Sequence, residues 1–231
     1  QFIADRWHTE LIPVSSEPLT ELERNAEFFS GLSHSPHLIS YPQLDIPEFW
    51  LSSKWKDVNF YVLIPGTSGT VTGKEWPASS FSNIAKKVFQ QTGWKGIICG
   101  AQQEHILGEQ IRVQCDAPLQ NLSGQTTLPE LAGLLSQSRL TLSNDTGSVF
   151  ISSAVGTPSV CILGGGHFGR FLPYPDLPGQ INNLKEIFHK MPCYGCNWDC
   201  VYPIKEGEPA PCIANVSVDT VWEKIKPLLT K

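Results

Sequence analysis

A chain of 231 residues, 41% hydrophobic and 17% charged, has an ordinary globular mixture and enough length to bury a full core. Its formal charge of −5, with 17 Lys and Arg scattered along the chain, excludes nonspecific nucleic-acid binding, which needs clustered cations, although a nucleotide ligand stays compatible. No apolar run approaches the ~18 residues of a spanning helix and the opening QFIADRWHTE has no signal-peptide pattern, so the expected location is cytoplasmic, with a peripheral place at the inner membrane left open.

The chain opens on Gln1 rather than Met, which reads as a cut or processed piece. SEPLTELERNAEFFSGL sets Leu19, Leu22, Ala26 and Phe29 at helical spacing before Gly31, predicting a helix over residues 18–30. SHSPHLISYPQLDIPEF has no period and reads as a linker. From residue 59 the pattern becomes regular. NFYVLIP and KGIICG read as strands around the helix SSFSNIAKKVFQQTG, whose Phe81, Ile84, Ala85, Val88 and Phe89 share one face.

QQEHILGEQI predicts a further helix, and TLPELAGLL a strong one, since Thr127 and Glu130 form a capping-box pattern. RLTLSN and PSVCILG read as strands around the helix GSVFISSAVG, and SVDTVWEKIKPLL as a last amphipathic helix. Apolar strands alternating with helices specify an α/β fold with a parallel, Rossmann-like sheet covered on both faces. Cys99, Cys115 and Cys161 sit in apolar or mixed surroundings and read as reduced packing residues.

In such a sheet, ligands lie beyond the carboxyl ends of the strands, which singles out four loops: 65–76, 100–104, 144–147 and 164–170. PGTSGTVTGKEWP combines glycines and hydroxyls with Lys74, a set suited to an anion, but it lacks the spacing of a Walker A loop. A solvated turn is its plain alternative. Asn144-Asp145-Thr146-Gly147 stands where a strand hands over to a helix, so its amides can receive an anion, while an Asp or Asn there can equally be a simple helix cap. His167 and Arg170 follow in a glycine-rich loop.

The order PGTSGTVTGKEWP, CGAQQE, LSGQTTLPELAGLL and SNDTGSVFISSAVGTPSVCILGG resembles the C-terminal half of glycosyltransferase family 9, the family of the lipopolysaccharide heptosyltransferases, across about residues 58–229. That resemblance implies the donor-binding half of a GT-B type enzyme, with residues 1–45 as a remnant of the N-terminal domain plus linker and residues 46–231 as the donor domain. It also implies transfer of a sugar such as heptose from a nucleoside-diphosphate sugar, with inversion and without an obligatory metal, to a glycan or lipid-linked acceptor of lipopolysaccharide type. Carried over by position, Thr67, Ser68, Thr70 and Lys74 would contact the diphosphate and Glu104 would lie near the ribose. Asp145 would hold sugar hydroxyls, and the Thr146 and Gly147 amides would face the phosphates. Phe150 stands where many members have a His, and His167 is the candidate substitute. The catalytic base is expected in the missing N-terminal domain, Asp5 reading as a surface residue, so the chain alone would bind a donor but transfer weakly. A nucleotide-sugar epimerase and a noncatalytic nucleotide-sugar-binding module are the competing readings.

Cys193-x2-Cys196-x3-Cys200-x11-Cys212 puts four thiols within twenty residues. The spacing suits a structural zinc; an iron–sulfur cluster would use the same ligands, and a reduced or disulfide-paired surface loop is the alternative.

Overall fold

The computed structural model describes residues 11–67, 73–205 and 207–229. Its centre is a six-stranded, wholly parallel sheet in the order β3-β2-β1-β4-β5-β6. The strands are β1 (Phe60–Ile64), β2 (Lys95–Ile98), β3 (Leu119–Asn121), β4 (Thr141–Asn144), β5 (Ser159–Ile162) and β6 (Leu184–Ile187). All of β1, β4 and β5 is buried, because crossover helices cover both faces; β1 is accordingly an unbroken apolar run, whereas β4, which reads TLSN, buries Thr141, Ser143 and Asn144 with hydrogen-bond partners. Strand order reverses between β1 and β4, which opens a crevice above their carboxyl ends.

Helices α2 (Ala78–Thr92), α3 (His105–Val113), α6 (Pro211–Ala214) and α7 (Val218–Ile225) pack on one face against Tyr61, Leu63, Ile98, Leu142 and Ile162. Helix α4 (Leu128–Gln137) buries Leu131, Leu134 and Leu135 against Phe60, Val62 and Ile97 on the other. There α5 (Gly147–Ala154) is tied down by buried hydroxyls: Ser152 Oγ lies 2.7 Å from Thr141 Oγ1 and Ser159 Oγ lies 2.9 Å from Ser152 Oγ. The capping box of α4 forms as expected, with the Thr127 hydroxyl and the Glu130 carboxylate each accepting the other's backbone N–H. The scattered Cys99 and Cys161 are buried packing residues, and Cys115 is half-buried.

Helix α1 (Glu21–Ser33) matches the expected amphipathic segment but buries no residue fully. The stretch read as a linker is laid along the sheet domain. Tyr41 is buried, its hydroxyl donating to the Pro175 carbonyl at 2.8 Å, and its backbone N–H donates to Gln180 Oε1 at 3.0 Å. Leu44 N–H reaches the Ala154 carbonyl at 2.9 Å, and Gln137 exchanges hydrogen bonds with the Ser52 backbone. Side-chain amides thus take the place of a regular ladder, which is why no period marks the segment. Strands β3 and β6 were not expected either; both are short edge strands, and β6 carries Lys185 and Glu186 on its rim.

Asn144 closes β4 and is fully buried. Its Nδ2 donates to the Pro65 carbonyl at 2.6 Å and its Oδ1 accepts the Trp76 N–H at 3.2 Å, so one carboxamide holds both ends of the loop that follows β1. Asn144→Ala leaves two buried main-chain groups unpaired and is expected to lower unfolding free energy by about 2 to 4 kcal/mol in urea titration. A loss below about 0.5 kcal/mol, the usual range for a neutral surface change, would show that water replaces the clamp.

Candidate active site

Two cavities lie over the crevice and meet at Thr146. The first, of about 290 Å³, is lined by Gly66, Thr67, Gly100, Glu104, Thr127 and Thr146. Glu104 stands at the start of α3, where its Oε2 accepts the Ala101 N–H at 2.6 Å. Its carboxylate fills the space that side chains would need above Gly66 and Gly100, since a Cβ at those positions would lie 2.0 and 2.4 Å from it. Burial raises the Glu104 pKa, the Ala101 N–H opposes that shift, and the nearby Glu75 adds to it. Glu75 also accepts from the buried Thr67 hydroxyl at 3.5 Å. Nothing in the sequence marks Glu75 out from the rest of its loop.

The second cavity, of about 220 Å³, is lined by Lys74, Asp145, Thr146, Gly147, Phe150, His167 and Phe171. Thr146 is the N-cap of α5, and no side chain caps the helix there. Asp145 is therefore not the cap that its position allowed. A Cβ added at Gly147 would meet nothing, so the protein's own packing does not demand glycine there. Burial raises the Asp145 pKa, and the charges of Lys74 and His167 pull it back only in part. His167 Nε2 lies 2.8 Å from Asn197 Oδ1. His167 thus enters the cavity beside Phe150, where the resemblance implied a polar group was missing.

Of the expected site residues, Thr67, Lys74, Glu104, Asp145, Thr146, Gly147 and His167 line these two adjoining cavities. Ser68, Thr70 and Asp5 lie outside the described residues. Arg170 turns away. Its Nε donates to Glu21 of α1 at 2.8 Å and its guanidinium stacks on Phe171, so it lines a separate cavity of about 540 Å³ with Arg24 and Phe168. A further cavity, of about 670 Å³, lies between residues 41–45, the end of α5 and residues 179–183.

The cysteine segment packs against the site. Cys193, Cys196, Cys200 and Cys212 are free, and among the described residues no group of three or more His, Cys, Asp or Glu side chains could hold a metal ion. Contact with the glycine loop after β5 helps to order the segment: Gly195 N–H donates to the Gly165 carbonyl at 2.8 Å and Asn197 N–H to the Gly166 carbonyl at 2.9 Å. Cys212 sits buried in α6, where desolvation first, and the charges of the other three sulfurs second, push its thiol up.

A sequence model of glycosyltransferase family 9 (heptosyltransferase) matches residues 20–197. The chain belongs to this family. Lipopolysaccharide heptosyltransferase 2 of Escherichia coli K12 is 25% identical over 142 residues, covering 56% of this chain and 39% of that protein. Among solved structures, a family 9 glycosyltransferase from Veillonella parvula superposes with a TM-score of 0.70 at 19% identity, covering 94% of this chain and 62% of its own. The E. coli ADP-heptose heptosyltransferase II gives 0.61 at 20%, covering 85% and 56%. The chain thus covers 39% to 62% of the length of these relatives, and its own sheet is Rossmann-like.

Because burial raises the Asp145 pKa, the folded chain holds that proton more tightly than the unfolded chain does. Stability therefore falls as pH rises from the ordinary carboxylate value of about 3.9 through the raised value, and stays lower above it. Asp145→Asn lacks this ionisation. The variant should melt higher than the parent at pH 7, with the difference closing near about pH 3, below both values. A lower melting point at pH 7 would mean that the free protein relies on the charge.

Proposed function

We propose that this chain forms the donor-binding part of an inverting heptosyltransferase that uses an ADP-linked sugar and a glycan or lipid-linked acceptor of lipopolysaccharide type. One observation carries the reading: two cavities of different chemistry share Thr146, one offering Glu104 and Thr67, the other Lys74, helix amides and Asp145. A nucleotide-sugar has the same order of parts. The first cavity takes the nucleoside, with Glu104 accepting from ribose hydroxyls, and the second takes the sugar, with Asp145 accepting from its hydroxyls. The diphosphate lies between them, against the uncapped start of α5 and the Lys74 ammonium.

In the transfer, an acceptor oxygen attacks the anomeric carbon from the face opposite the diphosphate, and the bond to the diphosphate breaks. Negative charge then collects on the leaving group, where Lys74 and the Thr146 and Gly147 amides stabilise it more than they stabilise the intact donor. In this reading they supply the positive field without an obligatory metal. No residue of this chain is assigned as the base that deprotonates the acceptor. Acceptor-dependent release of ADP from ADP-heptose tests the activity, and ADP-heptose binding without such release would favour a binding module.

The donor contacts separate by ligand. Asp145→Ala should weaken ADP-heptose more than ADP, whereas Lys74→Ala should weaken both by about 1.5 to 3 kcal/mol, the worth of a charge-assisted contact. Raising the salt should shrink the Lys74 effect more than the Asp145 effect. Calorimetry with both ligands at two salt concentrations reads this, and an unchanged ligand ratio in Asp145→Ala removes the sugar contact.

Gly147 offers an independent check. Since a methyl group there meets nothing in the free protein and Ala favours a helix by up to about 1 kcal/mol, Gly147→Ala should hold or raise the melting temperature. The same variant should bind ADP less tightly, because the methyl occupies the approach to the first-turn amides. Unchanged ADP affinity would place the diphosphate elsewhere.

A further inference from the structure

Three consecutive glycines, Gly164 to Gly166, follow β5 and are buried. They are roofed by aromatic rings of the Cys-rich segment, not by open space. A Cβ at Gly164 or Gly166 would lie 2.4 Å from the Trp198 ring, and one at Gly165 would lie 2.3 Å from Tyr194. The loop is therefore glycine-rich so that an aromatic layer can sit on its backbone.

Trp198 is held there in an unfavourable state on two counts. Its φ of 64° is left-handed, which is rare for a bulky residue, and Asn197 before it has a φ of 51°. Its indole N–H is buried without a hydrogen-bond partner among the described residues. Neither feature helps the fold by itself. What the position delivers is the face of the ring, and the Lys74 ammonium stands over that face, 4.8 Å from its centroid. The ring edge-packs with His167 at 6.5 Å, and the neighbouring Asn197 carboxamide meets the His167 ring.

We propose that Trp198 is a positioning residue for Lys74: its indole face holds the ammonium at the donor cavity, so the Cys-rich segment helps to set where the site's mobile positive charge sits. The attraction between a cation and an aromatic face is electrostatic and strengthens as water is excluded. A Lys stem has four rotatable carbons, and a fixed ring at its tip removes much of the freedom that a diphosphate would otherwise have to quench. The proposal rests on the reading that Lys74 meets the diphosphate, and its test has one arm that does not.

That arm is NMR of the full chain after reductive 13C-methylation of its lysines, which keeps their charge. The Lys74 resonance, assigned by its loss in Lys74→Ala, should be displaced upfield by the Trp198 ring current. Trp198→Phe keeps a ring and should keep most of the displacement. Trp198→Leu, which fills space without a π face, should return the signal to the bulk lysine position. Should Trp198→Leu not fold, Gly166→Ala, which drives a methyl into the ring, should shift the same signal. A Lys74 resonance at the bulk position in the parent, or one that ignores these variants, overturns the proposal.

The second arm is ADP calorimetry. Trp198→Leu should weaken ADP about threefold to tenfold and Trp198→Phe by no more than about twofold. In a Lys74→Ala background, Trp198→Leu should cost nothing further, because the residue acts through the lysine. Additive losses overturn the positioning role. If the resonance behaves as stated and ADP binds none of the proteins, the donor reading fails while the Trp198–Lys74 contact stands.

Discussion

The crevice above β1 and β4 depends on one buried carboxamide. Asn144 ends a central strand at the switch point, and through Pro65 and Trp76 it fixes both ends of the loop after β1. Only a group with a donor and an acceptor at once can do this. An Asp would keep the acceptor and lose the donor, and an apolar residue would leave two main-chain groups unpaired in a place water does not reach. The link also sets a geometry. Asp145 follows Asn144, Lys74 lies two residues before Trp76, and Thr67 two residues after Pro65, so acid, cation and hydroxyl are all held within a short chain length of one buried anchor. Trp76 is locked in turn, its indole N–H donating to the Val216 carbonyl at 2.8 Å. A site whose groups hang from a rigid anchor need not be reorganised when charge develops in it.

From the other side the crevice is closed by aromatic rings on bare backbone. Gly73, at a φ of 82°, lets the chain turn into Lys74 while Ala210 donates its N–H to the Gly73 carbonyl at 2.9 Å. The segment that carries the four thiols thus touches the site at both Gly73 and Gly164–Gly166. These contacts hold it against the crevice. Its four sulfurs lie near enough to one another for Cys193, Cys196 and Cys200 to raise the Cys212 pKa, after desolvation.

Strand β1 and the apolar ends of β2 and β5 were legible because burial on both faces favours apolar runs, β4, which reads TLSN, was legible from its place between two helices, and the capping box at Thr127 was legible because it is local. Strands β3 and β6 were not, since three or four residues at a sheet edge keep polar groups on the rim. Asp145, Thr146 and Gly147 could be picked out from the handover of strand to helix, and Lys74 as the lone cation of a glycine-hydroxyl loop. Asn144 looked like part of the same motif, and nothing local reveals that it clamps a loop 68 residues before it. Trp198, Asn197 and Glu75 were missed for the same reason: each acts on a partner fixed by the fold. The three glycines lie in a loop singled out by its place after a strand, and what their bare backbone makes room for is Trp198 and Tyr194.

The charges along the crevice also give the proposed donor a direction. At one end Glu104 and Glu75 raise the cost of any further negative charge, and at the other Asp145 does the same, its own ionisation already opposed by burial. Between them stand Lys74 and the uncapped start of α5. A diphosphate moved one position either way would face a carboxylate in a partly desolvated site, where repulsion is far stronger than in water. Hydroxyls suffer no such penalty, because a carboxylate accepts from them. The acids therefore act less as binding groups of great strength than as fences. Each is tolerable next to ribose or sugar and costly next to phosphate, so in the proposed complex the anionic segment has one register and the anomeric carbon is delivered to the Asp145 end.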